Sequence, residues 1–264
     1  MVWMVKLVLG AAAIYLALIA AMALAQTALL FPRWMMGPGP ELPARAERLE
    51  VEGPGGVRLV GYRVPPANAE PDPEAPVILG FGGNAWDGAA VALYLSRVLP
   101  DHEVVAFHFR GYGPSTGRPS AAALAEDAVV IFDHLGGERV VPVGFSIGAG
   151  PAAHLAAERP VEGVVLVTAF DSLTALARTH YPWAPVRLFL RHRMEPAADL
   201  ERAGVPVALI TAGRDTIVPA RRTEALRQRL PDLVFDATIP AGHNDIYDRA
   251  DFAEALRAAV AALR

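Results

Sequence analysis

Cysteine is absent from the 264 residues. That excludes disulfides, zinc–cysteine sites and thiolate nucleophiles, and it leaves the redox compartment open. Basic charge is also short: 24 Lys and Arg stand against 28 Asp and Glu, dispersed along the chain, for a net charge of −4. Such a balance carries no electrostatic footprint for nucleic acid, and no nucleic-acid partner is expected. There is no Gly-x-x-x-x-Gly-Lys phosphate loop and no His-Glu-x-x-His zinc helix, and the glycines from Gly144 to Gly150 lack dinucleotide-site spacing. Neither a metal nor another cofactor is implied. What the chain does have is 53% apolar residues, enough to core one large α/β domain with an appendage and too many for global disorder.

The appendage comes first. From Leu7 to Ala25 no residue is charged or strongly polar, and nineteen residues of helix measure about 28 Å, close to the roughly 30 Å bilayer core. An uncleaved membrane anchor over residues 1–31 is the favoured reading. A cleaved signal peptide competes through the small-x-small run Ala23-Leu24-Ala25, and a buried core helix is the third alternative. Lys6 precedes the span, and Arg33, Arg45 and Arg48 after it are offset by Glu41, Glu47 and Glu50. The positive-inside signal therefore does not fix an orientation, although a domain outside the cytoplasm is the expectation.

Gly37-Pro38-Gly39-Pro40 marks a linker over residues 32–43, and a soluble domain is expected over 44–264. Alternating apolar residues at 49–51 and 57–64, around Gly53-Pro54-Gly55-Gly56, predict an antiparallel strand pair, and residues 65–76 a proline-rich surface loop. Short apolar runs then alternate with helical segments: strands at 77–81, 104–109, 140–143, 164–169, 207–212 and 233–239, and helices at 86–99, 121–135, 147–158, 221–230 and 251–263. This order predicts a mostly parallel sheet with helices on both faces. Pro142 sits awkwardly in a central strand, where it has no N–H to give the ladder. Residues 171–204 break the alternation and read as a cap-like insertion, or as ordinary surface helix.

The stretch on which the chain turns is Gly144-Phe145-Ser146-Ile147-Gly148, at the end of an apolar run. With five serines and 23 glycines, Gly-x-Ser-x-Gly should arise by chance only about 0.04 times. The pattern is that of a nucleophile elbow, a strand-to-helix turn that exposes a serine hydroxyl. A serine hydroxyl is a weak nucleophile and needs a base, which in turn needs an orienting carboxylate. Of seven histidines, only His243 lies in a loop beyond a late strand. Asp215 follows the strand at 207–212, and the order Ser146, Asp215, His243 is one that hydrolytic triads use. Asp171 is the rival acid, and Asp215 has the alternative of capping the next helix. Backbone N–H groups of Ile147 and Asn84 are the expected oxyanion donors, with Gly83 letting the backbone approach.

Residues 44–264 resemble the α/β-hydrolase superfamily, and within it the membrane-anchored serine hydrolases of the serine aminopeptidase-like branch. The likeness is carried by Phe81-Gly82-Gly83-Asn84-Ala85, by residues 109–120 (Phe-Arg-Gly-Tyr-Gly-Pro-Ser-Thr-Gly-Arg-Pro-Ser), by the Ser146 elbow and by the segments around Asp215 and His243. The family's oxyanion loop commonly begins His-Gly-Asn, and here Gly82 stands in the histidine's place. Residues 110–120 read as a structural loop beside the site. The resemblance implies a single N-terminal span, with residues 26–32 as its junction, and a hydrolase acting on a small-molecule or lipid-like acyl substrate. Serine aminopeptidase or amidase activity, or a non-catalytic binding module on the same fold, are the alternatives.

Overall fold

A computed structural model of the chain describes residues 1–67, 74–136 and 139–263; half of the 65–76 stretch, read as a surface loop, lies outside them. Helix α1 (Val2–Leu30) leads through a short 3-10 turn (Arg33–Met35) into the hairpin β1 (Glu47–Gly53) and β2 (Val57–Val64). The alternating core follows as β3 (Val77–Phe81), α2 (Gly88–Val98), β4 (Val104–Phe107), α3 (Ala121–His134), β5 (Val140–Phe145), α4 (Ala149–Glu158) and β6 (Val164–Val167). Then come α5 (Leu173–His180), α6 (Val186–Phe189), α7 (Pro196–Ala203), β7 (Pro206–Ala212), α8 (Ala220–Arg227), β8 (Asp232–Ile239) and α9 (Ala250–Ala261).

Eight strands form one sheet in the order β1-β2-β4-β3-β5-β6-β7-β8, and only β2 runs against the rest. Strands β3 to β6 are buried along their whole length, which is why they read as continuous apolar runs rather than alternations. One face packs Leu79, Val105, Leu166 and Leu209 under α3, α4 and α7; the other packs Ile78, Val143, Val167 and Ile210 under α2 and α9. Helix starts follow local chemistry: the Asp87 carboxylate accepts from the N–H groups of Ala89 and Ala90, and Ser120 and Ser172 cap α3 and α5 in the same way. The Asp87 cap explains why α2 begins at Gly88 and not at Trp86.

Pro142 fits its strand because of where the neighbouring ladder begins. The Val140 carbonyl accepts from Glu162 N–H on the β6 side, so Pro142, two residues on, turns its nitrogen to that same side. Pairing with β6 starts only at Val143↔Val165, while Pro142 stays level with Leu79 on the other side. The missing N–H therefore falls at the start of the β5–β6 ladder and takes nothing from the pairing with β3.

Within 171–204, read as an insertion, α7 belongs to the sheet's own crossover: Ala197 and Leu200 are fully buried in the core of that face, and Gly204, in the left-handed region at φ 65°, ends the helix. The part that stands over the strand ends is α5 and α6.

Candidate active site

Strand β5 delivers Ser146 directly from the ladder into a 3-10 turn, Ser146–Gly148, and then into α4. Ser146 has φ 51°, a left-handed conformation that costs a non-glycine residue of order 1–3 kcal/mol and aims its side chain away from the sheet. The flanking glycines answer a need for space. A Cβ on Gly144 would lie 2.7 Å from the Gly148 carbonyl oxygen, and one on Gly148 would lie 2.2 Å from the Phe81 carbonyl oxygen. The helix can follow the strand this closely only without those side chains.

Ser146 Oγ lies 2.9 Å from His243 Nε2, and His243 Nδ1 lies 2.7 Å from Asp215 Oδ2. Because a carboxylate only accepts, Nδ1 carries the proton in the neutral ring, and Nε2 is left to accept from the serine hydroxyl. The other Asp215 oxygen accepts from the N–H groups of Ile217 and Val218, at 2.8 and 2.7 Å, which fixes the carboxylate's plane. Pro219, not Asp215, sits at the start of α8. The two loops are tied to each other: Gly213 N–H donates to Ile239 and Arg214 N–H to Ala241, both at 2.8 Å. In the His243 loop, Asp245 Oδ1 accepts from Gly242 N–H. Both partners are shielded, with 8% of the His243 side chain exposed and 5% of the Asp215 side chain.

Asp171 takes a different partner. Its Oδ2 lies 3.1 Å from the Arg222 guanidinium and its Oδ1 is buried without a partner; burial lifts its carboxyl above the ordinary range even with the arginine beside it. It does not reach His243.

Asn84 and Ile147 line the same cavity as Ser146 and His243, a cleft of about 460 Å³. Ile147 lies in the first turn of the helical segment, where N–H groups have no intrahelical acceptor. The tight glycine of the loop after β3 is Gly82, not Gly83 as its sequence suggested. A Cβ on Gly83 would meet only ordinary contacts at 3.6–3.7 Å, whereas one on Gly82 would lie 2.9 Å from Val91 Cγ2. The close packing of α2 against this loop, through Val91, is what favours glycine at position 82.

The rest of the lining is apolar: Leu30, Phe170, Leu173, Leu176 and Val218 line the cleft as well. Sequence reasoning missed most of it, and it missed Tyr247, which follows His243 by four residues. The Tyr247 hydroxyl lies 3.3 Å from Thr168 Oγ1, its ring packs against Trp86 and Phe145, and burial pushes its phenol up to about 12. It stays neutral at any working pH. Residues 110–120 border the site as a brace: Arg110 pairs with Asp127, and Ser115 Oγ accepts from Val60 N–H and donates to the His108 carbonyl. Among the described residues, no group of three or more His, Asp or Glu side chains converges as a metal site.

Leu30 belongs to the end of α1, which is built into the domain. Phe31 is 2% exposed and packs with Tyr112, Ile147 and Phe170. The Gln26 amide donates to the Phe189 carbonyl at 3.1 Å and accepts from Arg191 N–H at 2.7 Å, and Thr27 Oγ1 lies 2.8 Å from buried His192 Nε2.

Residues 77–195 match the family described as alpha/beta hydrolase fold. The uncharacterized protein Rv2307c of Mycobacterium tuberculosis is 34% identical over 207 residues, 74% of this chain and 71% of that protein. The lysophosphatidylserine lipase ABHD12 of Gallus gallus is 35% identical over 117 residues, 40% of this chain and 31% of that protein. Among solved structures, a membrane phospholipase A described as a bacterial virulence factor superposes with a TM-score of 0.66 at 16% identity, over 100% of this chain and 98% of its own. With a mostly parallel eight-stranded sheet, helices on both faces and an elbow at the end of its central strand, the chain belongs to the α/β-hydrolase superfamily.

Proposed function

We propose that the protein is a membrane-tethered serine hydrolase that cleaves an ester or related acyl bond through an acyl-enzyme. Ser146 Oγ attacks the acyl carbonyl carbon and gives its proton to His243 Nε2. Asp215 holds the imidazole and stabilises the imidazolium that forms. The carbonyl oxygen, now an oxyanion, accepts from the N–H groups of Asn84 and Ile147. When the tetrahedral adduct collapses, the leaving oxygen takes the proton from His243. A water, deprotonated by the same nitrogen, then releases the acid and restores Ser146.

The observation that carries this reading is the continuous hydrogen-bonded chain Ser146–His243–Asp215 opening into an apolar cleft. An ester is favoured over a peptide with a free amino terminus, because among the described residues no carboxylate lines that cleft to receive an ammonium group. The name of the lipase relative, and an α1 long and apolar enough to cross a membrane, favour a lipid-like acyl substrate and a single-pass tether.

The test is hydrolysis of p-nitrophenyl butyrate by the wild type, Ser146→Ala and His243→Ala. Either substitution should lower kcat by several orders of magnitude, on the order of the 10⁶-fold seen when such a triad is broken. Retained hydrolysis in Ser146→Ala would remove the assignment.

A further inference from the structure

A second cavity, of about 200 Å³, lies between the last third of α1 and the α5–α6 segment. Its walls are Ile19, Met22, Ala23 and Leu29 on one side and Ala177, Val186, Phe189 and Leu190 on the other. Among the described residues Gln26 is the one side-chain amide in this wall, and both ends of its side chain are already bonded, to the Ala23 and Phe189 carbonyls and to Arg191 N–H. Apart from Tyr181, the side chains left to face an occupant are hydrocarbon, and an apolar cavity of about 150 Å³ already accepts a benzene.

Leu30 lines this cavity and the catalytic cleft alike, and α5 contributes to both, through Ala177 to the first and through Leu173 and Leu176 to the second. The two spaces are therefore consecutive along α1, and from Ile19 to Leu30 the helix rises about 17 Å.

The depth of this passage in a bilayer follows from the uncharged length of α1. The first contact of α1 with the α5–α6 segment is the Tyr15 hydroxyl donating to the Trp183 carbonyl. Counted from Leu7, the first residue after the charged Lys6, the uncharged run to Ala25 measures about 28 Å, close to a hydrocarbon core of about 30 Å, which takes the membrane up α1 to near residue 25. Ile19 and the tip around Trp183 then lie inside the hydrocarbon. The exposed apolar side chains agree: Trp183, Leu188 and Phe189 stand out beside α1, with Leu188 81% exposed.

We propose that the α1–α6 cleft is a lateral entry for the acyl chain of a membrane-resident lipid, which passes from the bilayer between α1 and α6, over Leu30, to bring its ester carbonyl to Ser146. The membrane helix is on this account one wall of the substrate site as well as a tether. The inference rests on the serine hydrolase reading above and adds to it the substrate class, a long-chain lipid ester taken from the plane of the membrane.

Two variants narrow the passage from opposite walls, Ala23→Trp on α1 and Ala177→Trp on α5. The full chain is reconstituted in phosphatidylcholine vesicles, and kcat/KM is measured for p-nitrophenyl palmitate and p-nitrophenyl butyrate. Excluding even two methylenes from an apolar wall corresponds to roughly tenfold. The palmitate-to-butyrate ratio is therefore expected to fall by about tenfold or more in each variant, and a ratio unchanged in both overturns the proposal. Independently of turnover, a palmitoyl ester carrying a terminal diazirine is photolysed with Ser146→Ala in the same vesicles. Crosslinks within residues 19–30 and 177–190 support the passage, and crosslinks confined to the rest of the cleft overturn it even where a tryptophan variant unfolds. A wild type that hydrolyses neither ester refutes the hydrolase reading, and the crosslink still reports on the cleft.

Discussion

Replacing Gly148 by alanine should damage the fold and the candidate chemistry together, for a reason visible at one carbon atom. The new Cβ would stand 2.2 Å from the Phe81 carbonyl oxygen, 2.7 Å from its carbon and 2.6 Å from the Gly82 carbonyl oxygen. All three are backbone atoms. Strand β3, which carries Phe81, is hydrogen-bonded on both edges, to β4 and to β5, and Phe81 is level with Gly144. The clash therefore cannot be relieved by a side chain turning, and the elbow must lift away from β3. Overpacking of this kind costs about 3 kcal/mol at the upper end of its usual range, which for a chain of this size is a fall in Tm of about 6–12 °C. Displacing Ser146 by about 1 Å from His243 would also cost on the order of 100-fold in kcat. Gly83→Ala is the matched control, because its Cβ would meet nothing closer than 3.6 Å, so its Tm should hold or rise slightly. Thermal denaturation by circular dichroism and ester hydrolysis read the two effects. Equal Tm and rate in Gly148→Ala and wild type would refute the steric account of the elbow.

Asp215→Asn should lower kcat by about 10⁴, because it turns an acceptor of His243 Nδ1–H into an ambiguous partner. Asp171→Asn should leave kcat within tenfold, since Asp171 faces Arg222; steady-state kinetics on both variants separates the two acids. Gln26→Leu removes two hydrogen bonds to the α6 segment and strands a carbonyl and an N–H. It should cost about 1–3 kcal/mol, with faster amide exchange at Arg191. Stability should also fall as pH drops. Burial holds His108 and His192 below the ordinary histidine value of about 6.5. The folded state therefore binds fewer protons than the unfolded one, so their contribution is complete above pH ~6.5 and is lost as pH falls through their folded values. Urea midpoints at pH 7.5 and 5.5 measure this, and a His192→Gln variant should show a shallower dependence.

What was legible in the sequence was local. The buried strands announce themselves as Val and Leu runs because helices cover both faces, whereas the start of α2 is set by the Asp87 side chain, which apolar periodicity does not reveal. The elbow is legible because its two glycines answer a steric demand within five residues of chain. Strand order is not local, and the placement of β4 outside β3 is written only in how the strands pack. The same holds for Gln26, Leu30 and Phe31. As sequence they are the tail of an apolar helix, and only contacts across more than a hundred residues, such as Gln26 to Phe189, turn them into part of the site. Tyr247 carried no signal beyond its nearness to His243. The partner of Asp171 lies on a helix fifty-one residues away, beyond the reach of any periodicity.

The central claim is that Ser146 is the nucleophile, and it is tested most directly by mapping a fluorophosphonate adduct by mass spectrometry. The account predicts a single modified peptide carrying the probe on Ser146, abolished in Ser146→Ala and strongly slowed in His243→Ala. Labelling of Ser96, Ser115, Ser120 or Ser172 in its place, or equal labelling of wild type and Ser146→Ala, would contradict it.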